Sequence, residues 1–228
     1  MNRIVAFTCI AALSLTCGAE DKDGGLVKVA GKGSLAIVDC RAGLDWAKCA
    51  PALENFNETF RVAIEKRQGE PFAIEKAGEA ARQTGANAVL FVGDRPDYPM
   101  SLTASEQKWA FVNLAPLKAA GANYDRRCQF LLMRGIYRAL GSDVSRAAKS
   151  CLSPVYSPED LDKITDFGVA MDTFIAVNES CEALGIEPVE YLTFREACEL
   201  DNPPTPTNDV QRAIAAEVKA ALKKQKKR

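Results

Sequence analysis

The chain has 228 residues, 47% of them hydrophobic, enough for one sizeable domain with a true core. Its charges nearly cancel, to a formal net charge of -1, so the basic excess of a nucleic-acid protein is missing. There is no histidine, which excludes Ser-His-Asp and Cys-His nucleophile pairs.

In chain order, Met1-Asn2-Arg3 is a short basic start, Ile4 to Leu15 is almost unbroken apolar sequence, and Cys17-Gly18-Ala19 supplies small residues. This order reads as a secretory signal peptide over 1–19, with cleavage after Ala19; it is too short for a transmembrane span. A lipid anchor on Cys17 is the alternative. Residues 20–33 are polar and glycine-rich and read as a flexible segment. The expected location is secreted or periplasmic. An even set of cysteines then remains (Cys40, Cys49, Cys128, Cys151, Cys181 and Cys198), and in an oxidising compartment such a set reads as disulfides. Connectivity is open from sequence; pairing neighbours gives Cys40–Cys49, Cys128–Cys151 and Cys181–Cys198, against the alternative of buried free thiols.

A single domain is expected over 34–201. Ser34 to Cys40 reads as a buried strand, Pro51 to Arg67 as a helix, and Phe72 to Thr84 as a second helix stopped by Gly85. Ala88 to Val92 is the clearest strand, and Trp109 to Leu114 the next. Strand, helix and strand in this order predict an α/β (α+β) fold, a small mixed sheet covered by helices. Asp125 to Leu140 predicts a helix whose apolar face is Phe130, Met133, Ile136, Tyr137 and Leu140, ended by Gly141. Ser157-Pro158-Glu159-Asp160 has the form of a helix start. Helices are expected over Phe167 to Leu184 and Val189 to Leu200. A proline-rich break and a basic amphipathic helix follow over 202–228.

On the 125–140 helix, Arg127, Arg134 and Arg138 fall within about 40° of arc beside the apolar face. Such a stripe lines a cleft or pairs with nearby acids. Elsewhere the chemistry is sparse. Ser105-Glu106-Gln107-Lys108 matches S-x-x-K without its companion motifs and reads as a helix cap. No phosphate loop or dinucleotide fingerprint is present, and no cofactor is expected. Asp94 and Asp97, just after the clearest strand, are the first candidates for a carboxylate pair, although Asp94 also suits a turn.

The stretch Arg134-Gly135-Ile136-Tyr137-Arg138-Ala139-Leu140-Gly141-Ser142-Asp143-Val144 has the frame of the metzincin signature H-E-x-x-H-x-x-G-x-x-H. Its surroundings resemble archaemetzincin-type peptidases over roughly 88–165. Trp109 to Leu114 looks like that family's edge strand, and Cys151 to Asp162 like its cysteine-containing turn and next helix start. The resemblance implies a metzincin-like core with a helical C-terminal part. It puts Arg134, Arg138 and Val144 where the family has metal-binding histidines, and Gly135 where it has the general-base glutamate. Gly141 is kept, and Leu152 is the nearest substitute for the methionine of the methionine turn. Guanidinium groups have no lone pair for zinc. The expectation is an exported, non-catalytic metzincin-like protein holding an anionic peptide or glycan on Arg127, Arg134 and Arg138, with no metal. The alternatives are a histidine-independent carboxylate hydrolase and a structural envelope protein.

Overall fold

A computed structural model describes residues 23–29, 31–104, 108–142, 150–200 and 203–225. The expected signal peptide, Cys17, Val144 and the first three residues of the S-x-x-K match lie outside them. Among the described residues, no helix is long and apolar enough to cross a membrane. The described residues form two compact units, Lys28–Glu190 and a smaller one that joins Asp23–Val27 to those from Tyr191 onward.

The larger unit is α/β. Its strands are β2 (Leu35–Asp39), β3 (Ile64–Gln68), β4 (Ala88–Gly93), β5 (Ser101–Ala104) and β6 (Trp109–Asn113); β1 (Leu26–Val29) lies outside this sheet. They form one five-stranded sheet in the order β3-β2-β4-β6-β5. All neighbours are parallel except the β5–β6 pair. The central strands β2, β4 and β6 are buried at every position, as parallel strands covered on both faces must be. Period-2 alternation sorts their side chains. Leu35, Ile37, Leu90, Val92, Ala110 and Val112 enter the major core, and Ala36, Val38, Val89, Phe91, Trp109 and Phe111 enter a smaller core on the other face.

Helices cover both faces. α1 (Trp46–Phe60) and α3 (Tyr124–Ala139) supply the major core, together with Val177 and Cys181 of α4 (Met171–Ala183). α2 (Ala77–Thr84) supplies Ala77 and Ala81 to the other core and ends at Gly85, whose φ of 70° makes the left-handed cap. Successive crossovers on opposite faces follow from right-handed connections to strands on either side of β2.

Several sequence expectations are corrected. The helix expected over 51–67 starts earlier, because the Asp45 carboxylate accepts from the Ala47 and Lys48 amides at 3.0 and 3.3 Å. It stops at Phe60, where Arg61 turns left-handed at φ 53°. Ile64–Gln68 pairs with β2 instead, so the tertiary ladder overrides the helical spacing of Phe60 and Ile64. β6 is an interior strand; the edge is β5, too short to give a clear period. Phe167 precedes α4, since Asp166 accepts from Gly168 N at 2.8 Å and forms a turn there. The helix expected over 189–200 is β7 (Glu190–Thr193) followed by a single turn, α5 (Phe194–Ala197).

The smaller unit has its own core of Phe194, Cys198, Ile214 and Val218, joined by Val27. Gly25 O accepts from Phe194 N and Gly24 O from Gln211 Nε2, both at 2.8 Å. Residues 24–27 are thus held within the segment expected to be flexible, and β1 pairs with β7. Helix α6 (Asp209–Gln225) follows the extended proline segment, and Arg195 forks onto Glu217 at 3.1 and 3.0 Å.

The three neighbour disulfides are not formed. Each of the six cysteines is buried with a free thiol. Cys40 and Cys49 belong to cores on opposite faces of the sheet. The Cys151 thiol is directed to Phe130 O at 3.8 Å. Cys181 lies in the larger unit and Cys198 in the smaller.

Candidate functional site: the central helix and its arginines

Helix α3 is the most enclosed of the described helices, with all of Arg127, Cys128, Phe130–Tyr137 and Ala139 buried. Its backbone lies close on the sheet because residue 135 is glycine. A Cβ there would sit 2.6 Å from Leu90 Cδ1 and 2.7 Å from Val112 Cγ1. On another side, Tyr137 meets the Phe56 and Phe60 rings of α1 at 5.8 and 5.9 Å. Gly141 has φ 83°, and the helix closes in a Schellman motif: Ser142 N donates to Tyr137 O at 2.9 Å and Gly141 N to Arg138 O at 3.1 Å.

Both glycines of the signature frame therefore have local packing reasons. Gly135 faces the sheet, so a glutamate at that position would bury its carboxylate among Leu90 and Val112 rather than present it to a cleft.

The three arginines have different surroundings. Arg127, with a side chain only 8% exposed, forks onto Asp162, Nε to Oδ1 at 3.0 Å and Nη2 to Oδ2 at 2.6 Å, with Glu159 at 3.5 Å from Nη1. The hydrogen bond from Arg127 holds the Asp162 carboxyl below the usual carboxylate range. This residue, expected to line a groove, ties α3 to the 3-10 turn Pro158–Lys163. That turn is the expected helix start, fixed by Asp160 accepting from Ser157 N at 2.9 Å. No sequence signal links positions so far apart.

Arg134 has no acidic partner among the described residues. It is 4% exposed, and its Nη1 donates to the carbonyls of Cys151 and Ser153 at 3.3 and 2.5 Å. Its Nε is buried with no acceptor. Burial, then repulsion from Arg138, lowers the pKa of its guanidinium from the ordinary value. Arg138 is half-buried and makes no side-chain hydrogen bond or ion pair among the described residues. The turn that accepts from Arg134 carries Leu152, fully buried. This is where the resemblance sets the methionine turn.

Other candidates are committed to ion pairs. Asp94 pairs with Lys118, and Asp97 accepts from Arg95 Nε and Nη2 at 3.2 and 3.0 Å, which holds its carboxyl below the usual range. A small cavity of about 80 Å³ at the carboxyl ends of β2 and β4 is lined by Cys40, Arg41, Gly93, Asp94 and Arg95 among others. A larger one, about 430 Å³, lies by Phe60, Asn178, Cys181, Glu182 and Ile186.

The residues present do not fit a zinc ion. Guanidiniums offer no lone pair, and an added cation beside Arg134 and Arg138 would be repelled. Among the described residues, no three His, Cys, Asp or Glu side chains gather closely enough to hold a metal.

No family model matches the chain, and no curated protein matches its sequence. Its structure is similar to that of archaemetzincin from Methanopyrus kandleri, with a TM-score of 0.50 and 12% identity, covering 66% of this chain and 96% of the other. It is also similar to a zinc-dependent peptidase from Methanocorpusculum labreanum, with a TM-score of 0.51 and 11% identity, covering 64% and 100%. At such identities the likeness is one of fold: the chain has a mixed α/β, archaemetzincin-like architecture.

Proposed function

We propose that the chain is an exported, non-catalytic protein of metzincin-like fold, without the histidines of the zinc site, that holds an anionic group on Arg134 and Arg138. The anion is a carboxylate of a peptide or of an acidic glycan. One observation carries this reading: the free Nε of a buried guanidinium whose Nη1 is already fixed by two backbone carbonyls. The Nε–Nη2 edge of such a group is the one that receives a carboxylate in two parallel hydrogen bonds. Among the described residues no carboxylate balances Arg134; a buried cation without a counter-charge is costly, and an anion bridging Arg134 and Arg138 offsets both the desolvation and the like-charge repulsion. Arg127, already matched by Asp162, has a supporting role.

The probe is a blocked dipeptide with a free C-terminal carboxylate, compared with its amide by calorimetric titration. The carboxylate binds, the amide does not, and Arg134→Ala with Arg138→Ala abolishes binding. Equal binding of both peptides, or unchanged affinity in the folded double variant, refutes the reading.

A further inference from the structure

α1 and α3 begin side by side. Lys48 Nζ meets Asp125 Oδ2 at 2.8 Å, and Gln129 Nε2 donates to Lys48 O at 2.6 Å. The next residue after Lys48 is Cys49, and the one before Gln129 is Cys128. Both sulfur-bearing residues line one small cavity of about 120 Å³ together with Asp45, Lys48, Tyr124 and Asp125. Both lie in the same core, on the same face of the sheet. Cys40 is on the other face, and the Cys151 thiol is directed to a carbonyl beneath α3.

We propose that Cys49 and Cys128 are a disulfide-forming pair that staples α1 to α3. One of the contacts between their helices, Gln129 Nε2 to Lys48 O, joins the residues next in sequence to the two cysteines. A bond needs Cα atoms within about 7 Å and converging Cβ vectors; both residues border the same cavity, and the Cys128 sulfur is close enough to raise the Cys49 thiol.

The electrostatics place the reaction before burial. Burial raises both thiols, Cys49 to about 12 and Cys128 to about 11, so the folded dithiol is slow to react. At Cys128 the Tyr124 hydroxyl hydrogen-bonds the sulfur and favours its thiolate, the Asp125 charge opposes it, and the Lys48 ammonium adds a smaller favourable contribution. Bond formation therefore belongs to the folding chain, before either thiol is buried; either can attack first, and the two orders balance equally. With Cys128 first, its thiol releases a proton, and the thiolate attacks an external disulfide R–S–S–R, expelling R–S⁻, which takes up a proton. Cys49 then loses its proton and attacks the Cys128 sulfur of the mixed disulfide, expelling the second R–SH. Two thiols are oxidised and one external disulfide is reduced to two thiols. The pairing takes from the proposed export only the source of oxidant.

The test refolds the full chain from its reduced, denatured form in a glutathione disulfide buffer, followed by alkylation of free thiols and peptide mapping. A cross-linked peptide joining Cys49 and Cys128 is expected, with loss of alkylation at both. Reductant then shifts the urea midpoint of the wild type downward and leaves that of Cys49→Ser with Cys128→Ser unmoved. Full alkylation of both residues, or a cross-link to any other cysteine, overturns the pairing even if the variants do not fold. A chain that forms the bond in buffer but is fully reduced when isolated from cells refutes export and leaves the pairing intact.

Discussion

Gly135→Ala separates a packing glycine from an idle one. In a helix interior, alanine is favoured over glycine by about 1 kcal/mol, and at an open site that gain would appear in full. Here the new methyl would lie 2.6 Å from Leu90 Cδ1, 3.1 Å from Leu90 Cδ2 and 2.7 Å from Val112 Cγ1, and both neighbours are fully buried. Overpacking of this kind costs about 1–3 kcal/mol, so the net effect is a destabilisation of up to about 2 kcal/mol. Leu90→Ala alone costs about 2–5 kcal/mol by leaving a cavity. In that background the Leu90 contacts are gone and only the approach to Val112 Cγ1 at 2.7 Å remains, so Gly135→Ala is less destabilising than in the parent. The assay is urea unfolding of the four members of the cycle, with stability read from the midpoint at unchanged slope. If Gly135→Ala stabilises the parent by the full helix-propensity gain, and does so equally with Leu90→Ala, then α3 does not approach the sheet as described.

Two further outcomes are expected. Asp162→Asn destabilises the protein, and the wild-type advantage depends on pH. Because Arg127 depresses the folded pKa of Asp162 below its ordinary value of 3.8, the contribution is full above that pH and is lost as the pH falls through the folded value. A wild-type advantage that grows on acidification contradicts the pairing. For Arg134→Met, the lost charged hydrogen bonds, each about 1.5–3 kcal/mol, are opposed by relief of a desolvation penalty of several kcal/mol. Stability is therefore nearly unchanged while carboxylate binding is lost; a thermal melt beside the dipeptide titration checks both halves, and retained binding sinks the assignment of Arg134.

The central strands were legible because each is an uninterrupted apolar run in a parallel sheet covered on both faces, a pattern that polar edge strands do not share. β3, with its sequence IEKRQ, has one apolar residue, and Ile64 happens to fall one helical turn after Phe60. Its pairing with β2 is a non-local fact that no local window contains. α3 was legible from its apolar spacing, and its arginine stripe from the same wheel. What the stripe could not disclose is which guanidinium meets an acid, since Asp162 and the Cys151–Ser153 carbonyls arrive from later in the chain. The signature frame drew attention to Gly135 and Gly141 for the wrong reason: one is fixed by close approach to the sheet and the other by a left-handed helix end. The frame lies on α3, the buried helix laid across the sheet.

The position of β2 in the sheet bears on how the chain reaches its native state. It is the earliest strand of the sheet to leave the ribosome, yet both its edges are filled by later ones, β3 and β4. Until Ala88–Gly93 has emerged, Leu35–Asp39 is an apolar ribbon with an open flank, and its partners can be gathered only by crossovers rather than by a tight hairpin. Both flanks of β2 can therefore be closed only once β4 has been made, and until then the strand keeps one unpaired edge.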